Sequence, residues 1–260
     1  MSELRSYGIK SLKMGDIPDD GTMGTVLAAL GLTYQDSASL KEADPAVTDI
    51  FSEEEDFAVE SFQQIGQYLL AFSIMDYTPD TLAVVKGGAV VVDNGTPKWQ
   101  APNAVVNIEK CVQIITKKNL LIEIPRLQVR AVINMAMKKK GVDLIDIKAP
   151  VLLPNNPAVT PVSVCLYQPP VVNAGVDQAL AAAATIANLL GTASAFRGTL
   201  TYLWTVKSKP VGAADPVMAA PAALANALTV LTTVGVYVFT LTATDSNGFS
   251  SSDDVQITTS

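Results

Sequence analysis

The chain has 260 residues, 49% of them hydrophobic, a formal net charge of −7 and no histidine. That length and apolar content argue against a disordered chain and leave room for two domains with cores of their own. The acidic balance is unlike that of a protein that grips nucleic acid, and the missing imidazole removes the commonest general base and metal ligand.

The charge is uneven. Residues 1–168 hold 15 basic and 20 acidic side chains, against 3 and 5 in the remainder. Acid excess fits a surface that repels phosphate, and simple solubility explains it equally well. The two cysteines, Cys111 and Cys165, are expected to be buried thiols rather than a disulfide. The N-terminus MSELRSYGIK has no apolar signal region, and no apolar run reaches eighteen residues. The expectation is a chain made in a cytoplasm, without its own export signal and without a membrane span.

In chain order, Met1–Asp49 reads as a turn-rich entry punctuated by Gly15, Pro18, Gly21 and Gly24. Thr25–Leu32 fits a strand or a short helix, and the following Thr33-Tyr34 favours the strand. Glu53-Glu54-Glu55-Asp56 is a run of four carboxylates. Such a run is usually a solvated loop. Placed in the lumen of a ring, it would instead make a negative collar that keeps phosphate from sticking.

Val59–Gln64 is strand-like, Gly66 breaks the pattern, and Leu70, Phe72 and Ile74 then alternate with smaller residues. Thr78 suits a helix N-cap and Pro79 its first position. Leu82, Val85 and Val84 form a short apolar stripe, and Gly87-Gly88 ends the helix. Ala89–Val92 reads as a strand, Asn94-Gly95 as a hairpin turn and Pro97–Asn103 as a loop.

Val105–Ile115 alternates weakly, and Leu120, Ile122 and Ile124 are expected on one face. Leu127, Val129, Ala131, Ile133 and Met135 then share a core face, opposite Gln128, Arg130, Val132, Asn134 and Ala136. Such a strand suits a channel lining or an outer surface. Lys138-Lys139-Lys140-Gly141 is an exposed basic turn, and Val142–Val151 returns as a strand with Asp146 and Lys148 opposite Ile145 and Ile147. Tyr167-Gln168-Pro169-Pro170 reads as a proline-stiffened linker. The expected domains are 1–168 and 169–260.

The run SIMDYTPDTLAVVKGG resembles the strand-to-helix segment of phage tail tube proteins of the long-tailed, non-contractile kind. LKMGDIPDDGTMGTVLAALGLTYQDSASL, EEEDFAVES and LLIEIPRLQVRA with LIDIKAPVLLP extend the resemblance over roughly the first two thirds of the chain. It implies a β-sandwich or split barrel with one short helix, whose copies join into stacked, hexameric rings. Implied partners are further copies of the chain, a tape measure protein, and tail terminator or tip proteins. Double-stranded DNA would pass through without specific binding. The implied location is the virion, after assembly in the bacterial host cytoplasm. Candidate lumen-facing residues are Glu53, Glu54, Glu55, Asp56, Glu60, Gln128, Arg130 and Asn134.

Val171–Ser260 has the length of an immunoglobulin-like sandwich, with strands expected at Thr185–Leu190, Thr199–Val206, Leu228–Leu231, Tyr237–Thr244 and Ser250–Thr258. Trp204 stands where such a core buries an indole, and Tyr237 where a tyrosine corner would be. Asn173-Ala174-Gly175, Leu190-Gly191-Thr192-Ala193, Thr201-Tyr202-Leu203-Trp204-Thr205 and Leu241-Thr242-Ala243-Thr244-Asp245 resemble the PKD-type immunoglobulin-like family. The Ala-rich stretch Val211–Ala227 departs from it.

Two other readings compete with the tail tube. One is a surface adhesin, disfavoured by the lack of a secretion signal. The other is an enzyme, disfavoured because no P-loop, Rossmann glycine pattern or Gly-x-Ser-x-Gly elbow is present. Tubes of contractile injection systems share the architecture by resemblance, but an outward second domain would compete with their sheath. No cofactor, metal or catalytic residue is expected.

Overall fold

A computed structural model describes residues 6–137, 139, 141–180, 187–228 and 231–260. The chain divides into two compact units, Met1–Leu166 and Tyr167–Ser260.

In the first unit the strands are β1 (Ile9–Gly15), β2 (Ala28–Ala29), β3 (Ser39–Glu42), β4 (Ala46–Ile50), β5 (Glu60–Gln64) and β6 (Tyr68–Ile74). Helix α1 (Pro79–Lys86) follows, then β7 (Ala89–Asp93), β8 (Thr96–Gln100), β9 (Ile108–Thr116), β10 (Leu120–Asn134), β11 (Leu144–Pro150) and β12 (Ser163–Leu166). An eight-stranded sheet runs β2-β1-β9-β10-β11-β6-β3, with β12 added on β10.

The long strand β10 organises this sheet. Pro125 has no N–H to give to a ladder, and the register with β9 slips between Ile124 and Leu127. Before the slip β10 lies between β9 and β12, and beyond it between β9 and β11. Leu12, Met14, Val112 and Ile114 share one core with Leu70, Phe72, Ile74, Ile145 and Ile147. Each such side chain, fully buried, stabilises the fold by about 1.5–3 kcal/mol.

The unit is mainly β with one short helix, as its sequence implies. The sheet stays open, with β2, β3 and β12 at its edges, and does not close into a barrel.

Helix α1 forms for the reasons its sequence gives. Thr78 is extended and its hydroxyl accepts the Thr81 N–H at 3.1 Å; Pro79 follows, and Gly87 ends the helix at φ 72°. Leu82 and Val85 enter the core, whereas Val84 is exposed. Trp99 Nε1 donates to Gly87 O at 2.8 Å, and Lys86 Nζ to Ala131 O at 3.0 Å. These bonds fix the β7–β8 hairpin and the core beside the helix end.

Several expectations need correction. Of Pro97–Asn103, read as a loop, Pro97–Gln100 belong to β8, with Pro97 opposite Val92 in an isolated hairpin where no further strand calls for an N–H at that position. Within Thr25–Leu32 the strand is confined to Ala28–Ala29, against β1, and Leu32 O accepts the Met75 N–H at 3.0 Å. Leu120, Ile122 and Ile124 share one face of β10, as expected, with Leu120 and Ile122 half-buried and Ile124 buried. The residues that alternate with them, Leu121 and Glu123, are both buried. Met135 lies past the strand end and is exposed. Cys111 is a buried thiol whose Sγ donates to Gly15 O and Asp16 O at 3.4 Å. Cys165, on edge strand β12, is exposed. Lys138 and Lys140 of the expected basic turn lie outside the described residues.

The second unit contains β13 (Val171–Asn173), β14 (Gln178–Leu180), β15 (Asn188–Leu190), β16 (Thr192–Ser194), β17 (Leu200–Ser208), β18 (Ala225–Ala227), β19 (Gly235–Asp245) and β20 (Ser250–Thr259). One sheet runs β14-β20-β19-β17, with β14 parallel to β20; β13–β16 and β15–β18 form two further pairs. Trp204, Tyr237, Phe239, Leu241, Val255 and Ile257 of the larger sheet pack with Leu189 of β15. Parts of the expected strands Thr185–Leu190 and Leu228–Leu231 lie outside the described residues.

The expected linker is also corrected. Tyr167 is a buried residue of the second unit, not the start of a connector. Its hydroxyl bonds Asp245 Oδ2 at 2.8 Å and accepts from Asn247 Nδ2 at 2.9 Å. Its ring stacks on Phe249 at 4.4 Å and meets Phe196 edge-on at 5.6 Å.

Candidate functional site

The feature that asks for a function is the β4–β5 hairpin. Its five pairs run from Ala46↔Gln64 to Ile50↔Glu60, and it forms a two-stranded sheet of its own. All residues of both strands are exposed. Val47, Ile50, Phe51, Phe57, Val59, Phe62 and Ile65 leave large apolar surface in water, Phe57 at 84% and Ile65 at 86%. An isolated hairpin is marginal in water, and contiguous apolar surface on a protruding element marks a contact waiting to be made.

The root of this arm is rigid. Ala43 N–H donates to Gln67 O at 3.0 Å. Gly66 is buried against the Ala43 carbonyl, so closely that a Cβ there would fall well inside contact distance. The glycine that breaks the alternation in the sequence is thus required by a backbone crossing.

A groove of about 450 Å³ lies beside this root, with Ala43 and Gln67 on its rim. Its floor is the outer face of the β6-β11-β10 sheet. Leu69, Val132 and Pro150 supply apolar surface, and Arg130, Lys148 and Asp146 the charge. Arg130 and Lys148 are direct cross-strand partners, an arrangement in which like charges repel. Among the described residues neither makes an ion pair; Arg130 donates from Nε and Nη2 to Gln128 Oε1 at 3.0 and 2.6 Å. Asp146 is engaged otherwise, by Ser73 Oγ at 2.5 Å and Asn134 Nδ2 at 3.4 Å.

The sequence-derived candidates therefore fall into two groups. Glu53, Glu54, Glu55 and Asp56 form the arm's tip, and Glu60 begins its returning strand; all are exposed. Gln128, Arg130 and Asn134 lie on the outer sheet face. The groove itself was missed. The cross-strand pairing of Arg130 with Lys148 depends on a register that no local pattern specifies.

In the second unit Trp204 is buried and its Nε1 donates to Ala223 O at 3.0 Å. Gly191 packs so closely on Leu241 that a side chain there would collide with it and press on the Trp204 ring. Tyr237 is buried and donates from its hydroxyl to Thr233 O, four residues upstream, at 3.0 Å. That is the geometry of a tyrosine corner at the start of a sandwich strand. Residues 174–259 match a family model described as "K319L-like, PKD domain".

This segment is a PKD-type immunoglobulin-like domain.

A solved structure titled "Solution structure of the PKD domain from KIAA 1837 protein" matches at 27% identity, over 34% of this chain and 83% of that one, with a TM-score of 0.29. No curated protein matches the chain. The Ala-rich stretch Val211–Ala227 contributes to the core's surroundings: Pro221 O accepts the Trp204 N–H at 2.8 Å. Among the described residues there is no metal-binding cluster, and no helix is long and apolar enough to cross a membrane.

Proposed function

We propose that the chain is a structural subunit that polymerises through its first unit into a tube, the tail tube of a long-tailed phage, with the PKD domain projecting outward. The observation that carries this reading is the β4–β5 arm, an element with fully exposed strands and seven large apolar side chains in water at and around them. A protein meant to stay single would expose that surface at the cost of aggregation; a subunit covers it in the assembly.

Two further features support it. The sheet is open at β3 and β12, so neighbours can add strand to strand, and a ring closed that way covers both of these edges. The net charge of −7 suits a conduit through which DNA passes without adhering. On this reading the partners are further copies of the chain, a tape measure protein and terminator or tip proteins, and the function is mechanical.

The test is assembly of the purified full-length chain, followed by negative-stain microscopy over a concentration series. Hollow tubes of constant diameter are expected. Irregular aggregates, or particles no larger than one chain, would reject the proposal.

A further inference from the structure

We infer that the arm's tip of one copy seats in the groove at the arm's root of the next, Phe57 on the Leu69–Val132–Pro150 floor and the carboxylates of Glu53–Asp56 against Arg130 and Lys148. This rests on the assembly reading above and deepens it: it names the two surfaces that meet.

Chemistry matches the two. The groove has an apolar floor, with Val132 at 63% and Leu69 at 39% exposure, beside two adjacent cations that make no ion pair among the described residues; its one carboxylate, Asp146, is held by Ser73 and Asn134. The tip offers an aromatic ring directly after four consecutive acids. A cation pair that repels itself across a ladder is relieved by an anion from outside. An aromatic residue in an apolar recess flanked by charge complementarity is the usual make-up of an interface anchor.

Geometry says which copy supplies the tip. Five cross-strand pairs separate the root from the tip, roughly 17 Å of extended strand at about 3.3 Å per residue. The groove lies at the root, with Ala43 and Gln67 as its rim. A chain cannot reach its own groove without breaking those pairs and the Gly66 crossing, whereas a second copy can. Donor and acceptor are then different surfaces on each subunit. The contact is head-to-tail, and it propagates into a ring or a filament instead of stopping at a dimer.

The placement takes Glu53–Asp56 out of the lumen and makes them part of the contact between copies. One set of variants separates the two roles. The tip variant carries lysine at Glu53, Glu54, Glu55 and Asp56. The groove variant carries Arg130→Glu and Lys148→Glu. Circular dichroism and thermal melting check that each is folded, as expected for exposed positions.

Sedimentation velocity then gives the critical concentration for assembly. Each variant alone is expected to need roughly tenfold or more protein than wild type, the scale of losing a charge-paired contact. Their equimolar mixture is expected to assemble, because each reversed tip meets a reversed groove and each native tip a native groove. If either variant alone assembles like wild type, the docking is wrong and the tube proposal stands. If both fail and the mixture also fails, the pairing of these two surfaces is wrong. If wild type itself never assembles, the tube proposal falls, and this inference with it.

Discussion

Tyr167→Phe isolates one hydroxyl that ties the start of the second unit to its interior. The wild-type phenol bonds Asp245 Oδ2 at 2.8 Å and accepts from Asn247 Nδ2 at 2.9 Å, while Asp245 Oδ1 accepts the backbone N–H groups of Asn247 and Phe249 at 2.8 and 3.0 Å. Phenylalanine keeps the stack on Phe249 and the edge contact with Phe196, so the loss is polar only. A hydrogen bond to a charged group contributes about 1.5–3 kcal/mol, and here its removal strands an oxygen of a buried carboxylate. For a domain of this size that corresponds to a drop in Tm of roughly 8–16 °C. Calorimetry of the full chain, with Trp204 fluorescence reporting on the second unit, measures it.

The same residue has a pH signature. Burial, reinforced by the Asp245 carboxylate, pushes the Tyr167 phenol up to about 12. The unfolded phenol ionises near 10, so the folded state holds this proton more tightly. Its contribution to stability is complete below pH 10 and is lost as pH rises toward 12. Wild type is expected to lose its advantage over Tyr167→Phe across that window. A Tm difference within about 2 °C at neutral pH, or no convergence at high pH, would refute the assignment.

Other outcomes follow from single positions. Gly66→Ala is expected to displace the arm's root, because Ala43 O occupies the space of the new Cβ; assembly should weaken and proteolysis between residues 43 and 67 should quicken, while the core transition stays near wild type. Thr78→Ala removes the cap on Thr81 N–H and should cost the first unit about 1 kcal/mol in a urea titration. Tyr237→Phe removes the corner bond to Thr233 O and should cost the PKD domain about 1 kcal/mol by the same measurement.

Much of the fold was legible because local rules act locally. Alternation at Leu70, Phe72 and Ile74 marks a half-buried strand, and Thr78-Pro79 with Gly87 brackets a helix. Trp204 and Tyr237 are readable because a buried ring with one polar atom has few places to go. Tyr167 was not legible: beside Gln168-Pro169-Pro170 it reads as linker, and its partners Asp245 and Asn247 lie nearly eighty residues away. The strand at Thr96–Gln100 was hidden by Pro97, which is tolerated there only because the hairpin stands alone. The two halves of the candidate site differ in the same way. The acidic tip is visible as a run of letters, whereas the groove exists only after β10, β11 and β6 align in register.

The most direct test of the account is sedimentation of the full chain with the segment between Ile50 and Glu60 replaced by a two-residue Asn-Gly turn. The wild-type chain is expected to shift from single molecules to large assemblies as concentration rises, and the tipless chain to stay single over the same range with both unfolding transitions intact. Equal assembly by the two chains, or none by wild type, would contradict the claim that this arm joins one copy to the next.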